Sequence, residues 1–437
     1  VIRGLAITAP STGAGKTVLS LGIMRALSNR KMRVVPAKCG PDYIDPQYHA
    51  LACGSPSFNL DPWAMDAPLV RSLVASAADD SENRILVVEG AMGVLDGAGK
   101  DGSGSTAHLA SLLGLPLIMV VDVRGQSHSS ALAPVGLRAL KPEIELAGVI
   151  LNRVGSVRHE AMVRSSLEAS GVTVFGAVPR DGELELPSRH LGLVPAGEHE
   201  GIESFLSAAA AAVERNVDLA KVAAAAEVPI LNGGIRQDFG IPPLGQRIAV
   251  ACDEAFVFAY SHLVDGWRRA GAELRFFSPL ADSGPCEGCD SVFLPGGYPE
   301  LHAGRLASCR RFRAGMRASV EKGAVVYGEC GGYMVLGDGL EDACGARHAM
   351  LGLLPVETTF RDRRLCLGYR DLVAEPEAPF KGSFKGHEFH YARISATGSA
   401  PSLFSASDSF GEDLGGIGHV AGRVSGSFAH LICAPGG

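Results

Sequence analysis

Nothing in this sequence of 437 residues is apolar for long enough to cross a bilayer. The longest apolar run, around Leu112 to Val121, is interrupted by Gly114 and Pro116 and stops at Asp122. A strand pattern starts within a few residues of Val1 and leaves no room for a signal peptide, so a cytoplasmic protein is expected. Positive charge is not in surplus either. Forty Lys and Arg against 47 Asp and Glu give a net charge of −7, which argues against nucleic acid as the main partner but not against a small anion in a local basic pocket. The ten cysteines form no disulfide framework and read as reduced thiols. Cys286-Glu287-Gly288-Cys289 lacks the second pair that a zinc site of this kind uses and reads as a solvent loop. The 55 glycines follow no G-x-y period, so they mark tight turns between strands and helices rather than collagen. His387-Glu388-Phe389-His390 is one residue short of the H-E-x-x-H spacing of a helical zinc pair.

What is present falls into two halves, because the chain is too long for one ordinary core. Residues 1–220 form the first expected domain, 221–245 a Gly/Pro-rich linker, and 246–437 the second. Leu5 to Ala9 reads as a strand. Pro10-Ser11-Thr12-Gly13-Ala14-Gly15-Lys16-Thr17 and an amphipathic helix to about Asn29 follow. That is the order of a P-loop, whose backbone N–H groups surround a phosphate while Lys16 reaches the β/γ oxygens and Thr17 holds Mg²⁺. Pro10 stands where the first glycine usually does and marks a variant loop. Val34 to Lys38, Ile85 to Val88, Leu117 to Val121, Ala147 to Leu151 and Val174 to Val178 repeat as buried strands. With helices near 106–113, 129–140 and 156–170 between them, the fold class is α/β with a doubly wound parallel sheet. Asp42 and Asp45 follow the second of these strands, and Glu89 closes the Ile85–Val88 run, where a carboxylate facing Mg²⁺ belongs opposite a P-loop. Arg124, Arg180 and Arg189 add cations beside the sheet, for solubility or for an anion.

The second half restarts the α/β rhythm. An apolar run from Ala324 to Tyr327 ends in Gly328-Glu329-Cys330-Gly331-Gly332, a nucleophile elbow with cysteine in place of serine. Its glycines permit a sharp turn, and the helix that follows is expected to favour a thiolate. Leu294-Pro295-Gly296-Gly297-Tyr298 ends a second strand, and His430 lies far downstream. Cysteine, distant histidine and the N–H groups of Gly331 and of Gly297 or Tyr298 suit acyl transfer through a thioester. Joined to an ATP site, this pattern fits one domain that activates a carboxylate as an acyl phosphate and another that releases ammonia from glutamine.

Along essentially its whole length the chain resembles the cobyrinic acid a,c-diamide synthase family, which includes the hydrogenobyrinic acid enzymes. The resemblance is carried by Ser11–Thr17, Gly40–Pro46, Glu89–Gly97, Arg189–Leu193, Pro295–Leu301, Glu329–Tyr333 and Gly386–Tyr391. It implies a dethiobiotin-synthetase-like ATP-binding amide ligase domain joined to a triad-type glutamine amidotransferase domain. ATP with Mg²⁺, glutamine and a corrinoid polycarboxylate are the implied ligands, and no nucleic acid or membrane is expected. A homodimer is the expected assembly. By likeness Thr17, Asp42 and Glu89 would serve Mg²⁺, and Thr12, Gly13, Ala14, Gly15 and Lys16 the phosphates. Asn152 and the Pro179 loop would serve the adenine, and Tyr43 and Asp96 the corrinoid carboxylate. Ile432 stands where many such amidotransferases carry the glutamate of His-x-Glu, so the partner of His430 comes from elsewhere or is a backbone carbonyl, with Glu388 the candidate side chain. Other readings stay open at this point: a nickel-sirohydrochlorin a,c-diamide synthase, a cobyric acid synthase, or a P-loop ATPase switch with an inactive amidotransferase fold.

Overall fold

A computed structural model describes residues 3–77, 84–189, 192–227 and 240–435. Residues 228–239 of the expected linker lie outside the described residues, as do His190, Leu191 and the side chain of Arg189. The chain divides into two compact units, Val1–Arg236 and Gln237–Gly437.

In the first unit β1 (Arg3–Thr8), β2 (Arg33–Cys39), β3 (Phe58–Leu60), β4 (Arg84–Glu89), β5 (Leu117–Asp122), β6 (Leu146–Val154) and β7 (Val174–Pro179) form one sheet. Their order is β3-β2-β4-β1-β5-β6-β7, and every pairing is parallel. The central strands are buried on both faces, which is why they read as unbroken apolar runs. Strand β3, at three residues, is too short to stand out from its loop by pattern. Because β1 lies between β4 and β5, the loop after β1 and the acid ending β4 open at the same sheet edge, where ligands of open α/β sheets bind.

The second unit has a six-stranded sheet in the spatial order Glu273–Phe277, Arg247–Ala251, Ser291–Leu294, Val325–Glu329, Val424–Ser427 and His419–Ala421. All pairings are parallel except the last. Aromatic packing fills its core: Phe293 stacks on Tyr327 at 5.9 Å and meets Trp267 edge-on at 5.3 Å. An antiparallel sheet carries Cys366–Ala374, Ser383–His390 and His430–Cys433. After Ser427 the chain leaves the first sheet, bends through Phe428 and Ala429, and enters the second with His430 in register with His387.

One expectation is corrected here. Cys286 and Cys289 are joined in a disulfide with Cα atoms 5.9 Å apart and are not reduced thiols, although their loop is exposed as expected. Gly288, at φ 78°, turns the short connection back on itself so that the two sulfurs meet. Among the described residues no helix is long and apolar enough to cross a membrane.

Helix α1 (Lys16–Asn29) lies against the helix Ile202–Asn216 at Gly22, where an added Cβ would sit 2.7 Å from both Ala209 O and Val213 Cγ2. Glycine to alanine within a helix ordinarily gains about 0.5–1 kcal/mol. Here Gly22→Ala should instead destabilise the first unit by about 1–3 kcal/mol, the usual cost of overpacking. A urea midpoint equal to or above that of the parent would show that the helices part at no cost.

Candidate active site

The loop after β1 owes its shape to two glycines in the left-handed region, Gly13 at φ 79° and Gly15 at φ 95°. A side chain at Gly15 would be strained at that φ, and its Cβ, 2.1 Å from Asn152 Nδ2, would displace the Asn152 amide. The loop's carbonyls are tied down from β6. Asn152 Nδ2 donates to Ala14 O at 2.8 Å, and Arg153 donates to Gly13 O at 2.7 Å and to Asp122 at 2.6 Å. Arg153 adopts φ 60°, a strained value for a side chain that large. Lys16 is buried and bridges Ser11 O, at 3.2 Å, to Met92 O after β4. Burial, then the nearby Lys38 cation, lowers its pKa from the ordinary lysine value. Pro10 is exposed and lines a cavity of about 690 Å³ with Ser11, Ala14, Asp122, Arg124 and Gln126.

Beside the loop lies a buried acid cluster. Glu89 is fully buried and accepts from Thr17 Oγ1 at 2.6 Å, Lys38 Nζ at 3.0 Å and His49 Nε2 at 2.7 Å. Burial alone would raise its pKa, but Lys38, His49 and Thr17 outweigh it and hold the carboxyl well below its usual range. Burial likewise opposes the Lys38 charge, yet Asp45, Glu89 and Asp42 keep the ammonium protonated. Lys38 Nζ contacts Asp45 directly and lies 3.9 Å from Asp42. Asp42 Oδ1 also accepts from the N–H groups of Ile44 and Asp45, both at 2.9 Å, at the start of α2 (Asp45–Cys53). Asp96 accepts from Gly93 N at 2.9 Å, which folds the turn after β4 against the P-loop. Tyr43 is half-buried at the same edge. Arg124 is exposed and paired with Asp122 at 2.8 Å, and Arg180 is exposed. Pro179 ends β7 opposite Val154.

These donors fit Mg²⁺ bound chiefly through phosphates and water. Thr17 and Glu89 would offer two hard oxygen donors side by side, with Lys38 bonded to both Glu89 and Asp45, so no all-protein cage would be needed.

In the second unit Cys330 takes φ 46° between the strand Val325–Glu329 and the short helix Gly331–Leu336, the strained conformation of an elbow. Its N–H donates to Ser427 O at 2.8 Å. Neighbouring glycines let the turns close: a Cβ on Gly332 would lie 1.9 Å from Leu294 O, and one on Gly297 2.1 Å from Ala255 O. A Cβ on Gly331 would lie 2.9 Å from Gly297 N, which sets those two turns side by side. Tyr298 is fully buried against Phe258 at 5.1 Å. A Cβ on Gly296 would lie 3.0 Å from His430 Nε2 and 3.2 Å from Cys330 Cβ, so imidazole and thiol flank one point.

Two expectations change. Burial, then the charge of Glu300, pushes the Cys330 thiol up, and the Gly331 N–H offsets only part of this. The short helix does not make a resting thiolate, because burial outweighs it. Glu388 is engaged by Arg370, with nitrogen–oxygen distances of 2.7 and 2.9 Å. The carboxylate brought to His430 is Glu329, whose Oε2 lies 3.5 Å from Nδ1.

Sequence reading passed over Lys38, His49, Arg153 and Glu329. Lys38 and Glu329 left a faint signal, as charged residues at the ends of strands otherwise apolar. His49 and Arg153 left none.

Two family models match the chain: a CobQ/CobB/MinD/ParA nucleotide binding domain over residues 5–194 and a CobB/CobQ-like glutamine amidotransferase domain over residues 247–436. The hydrogenobyrinate a,c-diamide synthase of Brucella anthropi is 52% identical over 99% of this chain and 98% of its own. That of Rhodobacter capsulatus is 49% identical over 98% of each. Among solved structures, MinD with Mg-ADP from Pyrococcus horikoshii matches 48% of this chain at 15% identity and TM-score 0.29, too remote to add to this. On these full-length matches, the chain belongs to the hydrogenobyrinate a,c-diamide synthase family.

Proposed function

We propose that this chain amidates the a and c side-chain carboxylates of hydrogenobyrinic acid, or of its cobalt counterpart cobyrinic acid, with ATP and with ammonia taken from glutamine. The observation that carries this reading is that Cys330 and the His430 imidazole flank one point beside Gly296, in a chain that also sets Lys16, Thr17 and Glu89 around the P-loop. In the second unit the Cys330 sulfur attacks the glutamine amide carbon as its proton passes to His430. The N–H groups of Gly331 and of Gly297 or Tyr298 donate to the oxyanion. Collapse expels ammonia, which leaves with that proton, and water then releases glutamate from the thioester.

In the first unit a corrinoid carboxylate attacks the γ-phosphorus of ATP and displaces ADP. Ammonia then replaces phosphate in the acyl phosphate to give the amide. Thr12, Gly13, Ala14 and Gly15 wrap the phosphates, Lys16 offsets the charge on the transferring group, and Asn152 with Pro179 borders the adenine. Tyr43 and Asp96 border the reacting carboxylate. Bound Mg²⁺ would neutralise phosphate charge, held by Thr17 and Glu89 with Asp42 nearby. We place the reaction in the cytoplasm, where ATP and glutamine are supplied, and take a homodimer as the working assembly.

Incubation with ATP, Mg²⁺, glutamine and either corrinoid should yield the diamide by mass, and no product with either acid would overturn the assignment. Cys330→Ala should abolish amidation from glutamine yet leave amidation from added ammonia. Equal loss with both donors would end the division of labour between the units. Lys16→Ala and Glu89→Gln should each lower turnover from either nitrogen source by about 10²–10³-fold, the scale of a lost electrostatic contact in a transition state. Near-parental turnover from ammonia would remove these residues from the cradle. Replacing Arg180 or Arg189 by Gln should raise KM for the corrinoid, with Arg124 a weaker third, and leave KM for ATP nearly unchanged. A defect confined to ATP would assign these arginines to the nucleotide.

A further inference from the structure

His430 needs a partner on Nδ1 if Nε2 is to accept a proton from Cys330. Ile432, two residues on, cannot provide it, since its side chain is apolar and its carbonyl already accepts from His262 Nε2 at 2.8 Å. Glu388 is held by Arg370. Glu329 is the last residue of its strand and directly precedes the nucleophile. Its Oε1 accepts from Leu431 N at 3.0 Å and from Tyr327 OH at 3.1 Å, which turns Oε2 toward His430 Nδ1 at 3.5 Å. The Glu329 and His430 side chains are 2% and 1% exposed, so solvent does not screen the pair.

We propose that Glu329 is the positioning residue of the glutaminase site, an acid supplied from the residue before the cysteine rather than from two residues after the histidine. This rests on the glutaminase reading of Cys330. The carboxylate selects the tautomer with the proton on Nδ1, leaving the Nε2 lone pair for the thiol. During attack the sulfur–carbon bond forms while the thiol proton moves to Nε2. The imidazolium is then stabilised by the Glu329 carboxylate beside it, and the proton departs with ammonia. The requirement is strict here, because the buried thiol does not ionise on its own.

Glu329→Gln tests this with little change of shape. The amide oxygen can still accept from Leu431 N, while its NH₂ donates to Nδ1 and forces the histidine proton onto Nε2, the tautomer that cannot act as base. Glutaminase kcat should fall by about 10²–10⁴-fold, the range of general acid–base contributions, with KM for glutamine within about threefold. The ¹⁵N signals of labelled histidine, with His430 assigned by its loss in His430→Gln, should report the Nδ1–H tautomer in the parent and Nε2–H in the variant. Parental kcat in Glu329→Gln, or a loss of kcat without a tautomer switch, overturns the proposal. Should the variant not fold, the parent spectrum still decides, since His430 in the Nε2–H form is incompatible with it. If Cys330→Ala keeps glutamine use, the glutaminase reading itself fails, a different result from parental kcat in Glu329→Gln alone.

Discussion

Each unit buries one glutamate at the C-terminal end of a central parallel strand, Glu89 in the first and Glu329 in the second. A carboxylate taken out of water is tolerated only when donors surround it, at a cost of several kcal/mol otherwise. The surrounding side chains follow from that demand. Around Glu89 it gathers a lysine from β2, a histidine from α2 and the threonine that opens α1. Around Glu329 it gathers a tyrosine from the same strand, the backbone of Leu431 and the ring of His430. The segments that meet at these acids include the P-loop helix and the Cys330 elbow, so the groups that satisfy each buried charge also draw the proposed site residues together.

Among the described residues, three of the five non-glycine residues at positive φ lie beside these points. They are Cys330 and Met92, at turns with φ 46° and 49°, and Arg153 at φ 60°, where the pairing of β6 with β7 is irregular. Their neighbours hold them: Cys330 through Ser427 O, Arg153 through Gly13 O and Asp122, and Met92 through the lysine on its carbonyl. A backbone held this way is arranged before any ligand arrives, which reduces the ordering that binding must supply.

Much of this was legible in the sequence, because buried parallel strands read as unbroken apolar runs and the two glycine-rich turns announce themselves by type. The sheet of the first unit, the P-loop and the elbow at Cys330 were placed on that basis. The partner of His430 was not. Glu388 looked eligible because it sits among histidines, but strand Cys366–Ala374 brings Arg370 beside it. Glu329 looked like part of a strand, since nothing local reveals that a segment a hundred residues later folds over it. The expectation of a thiolate failed for a related reason: the glycines advertise a turn, while the burial of the sulfur depends on the whole unit.

That distance along the chain has a consequence for the order of events during synthesis. Leu431 bonds to Glu329 across 102 residues, and strand Val424–Ser427 pairs beside Val325–Glu329 across a similar span. Such non-local pairing forms late, because a long loop must close before any contact rewards it. A nascent chain emerging from the ribosome carries Glu329 and Cys330 well before His430. The contacts that join Cys330, Glu329 and His430 therefore wait for the closing strands, by which time the residues of the first unit have long been made.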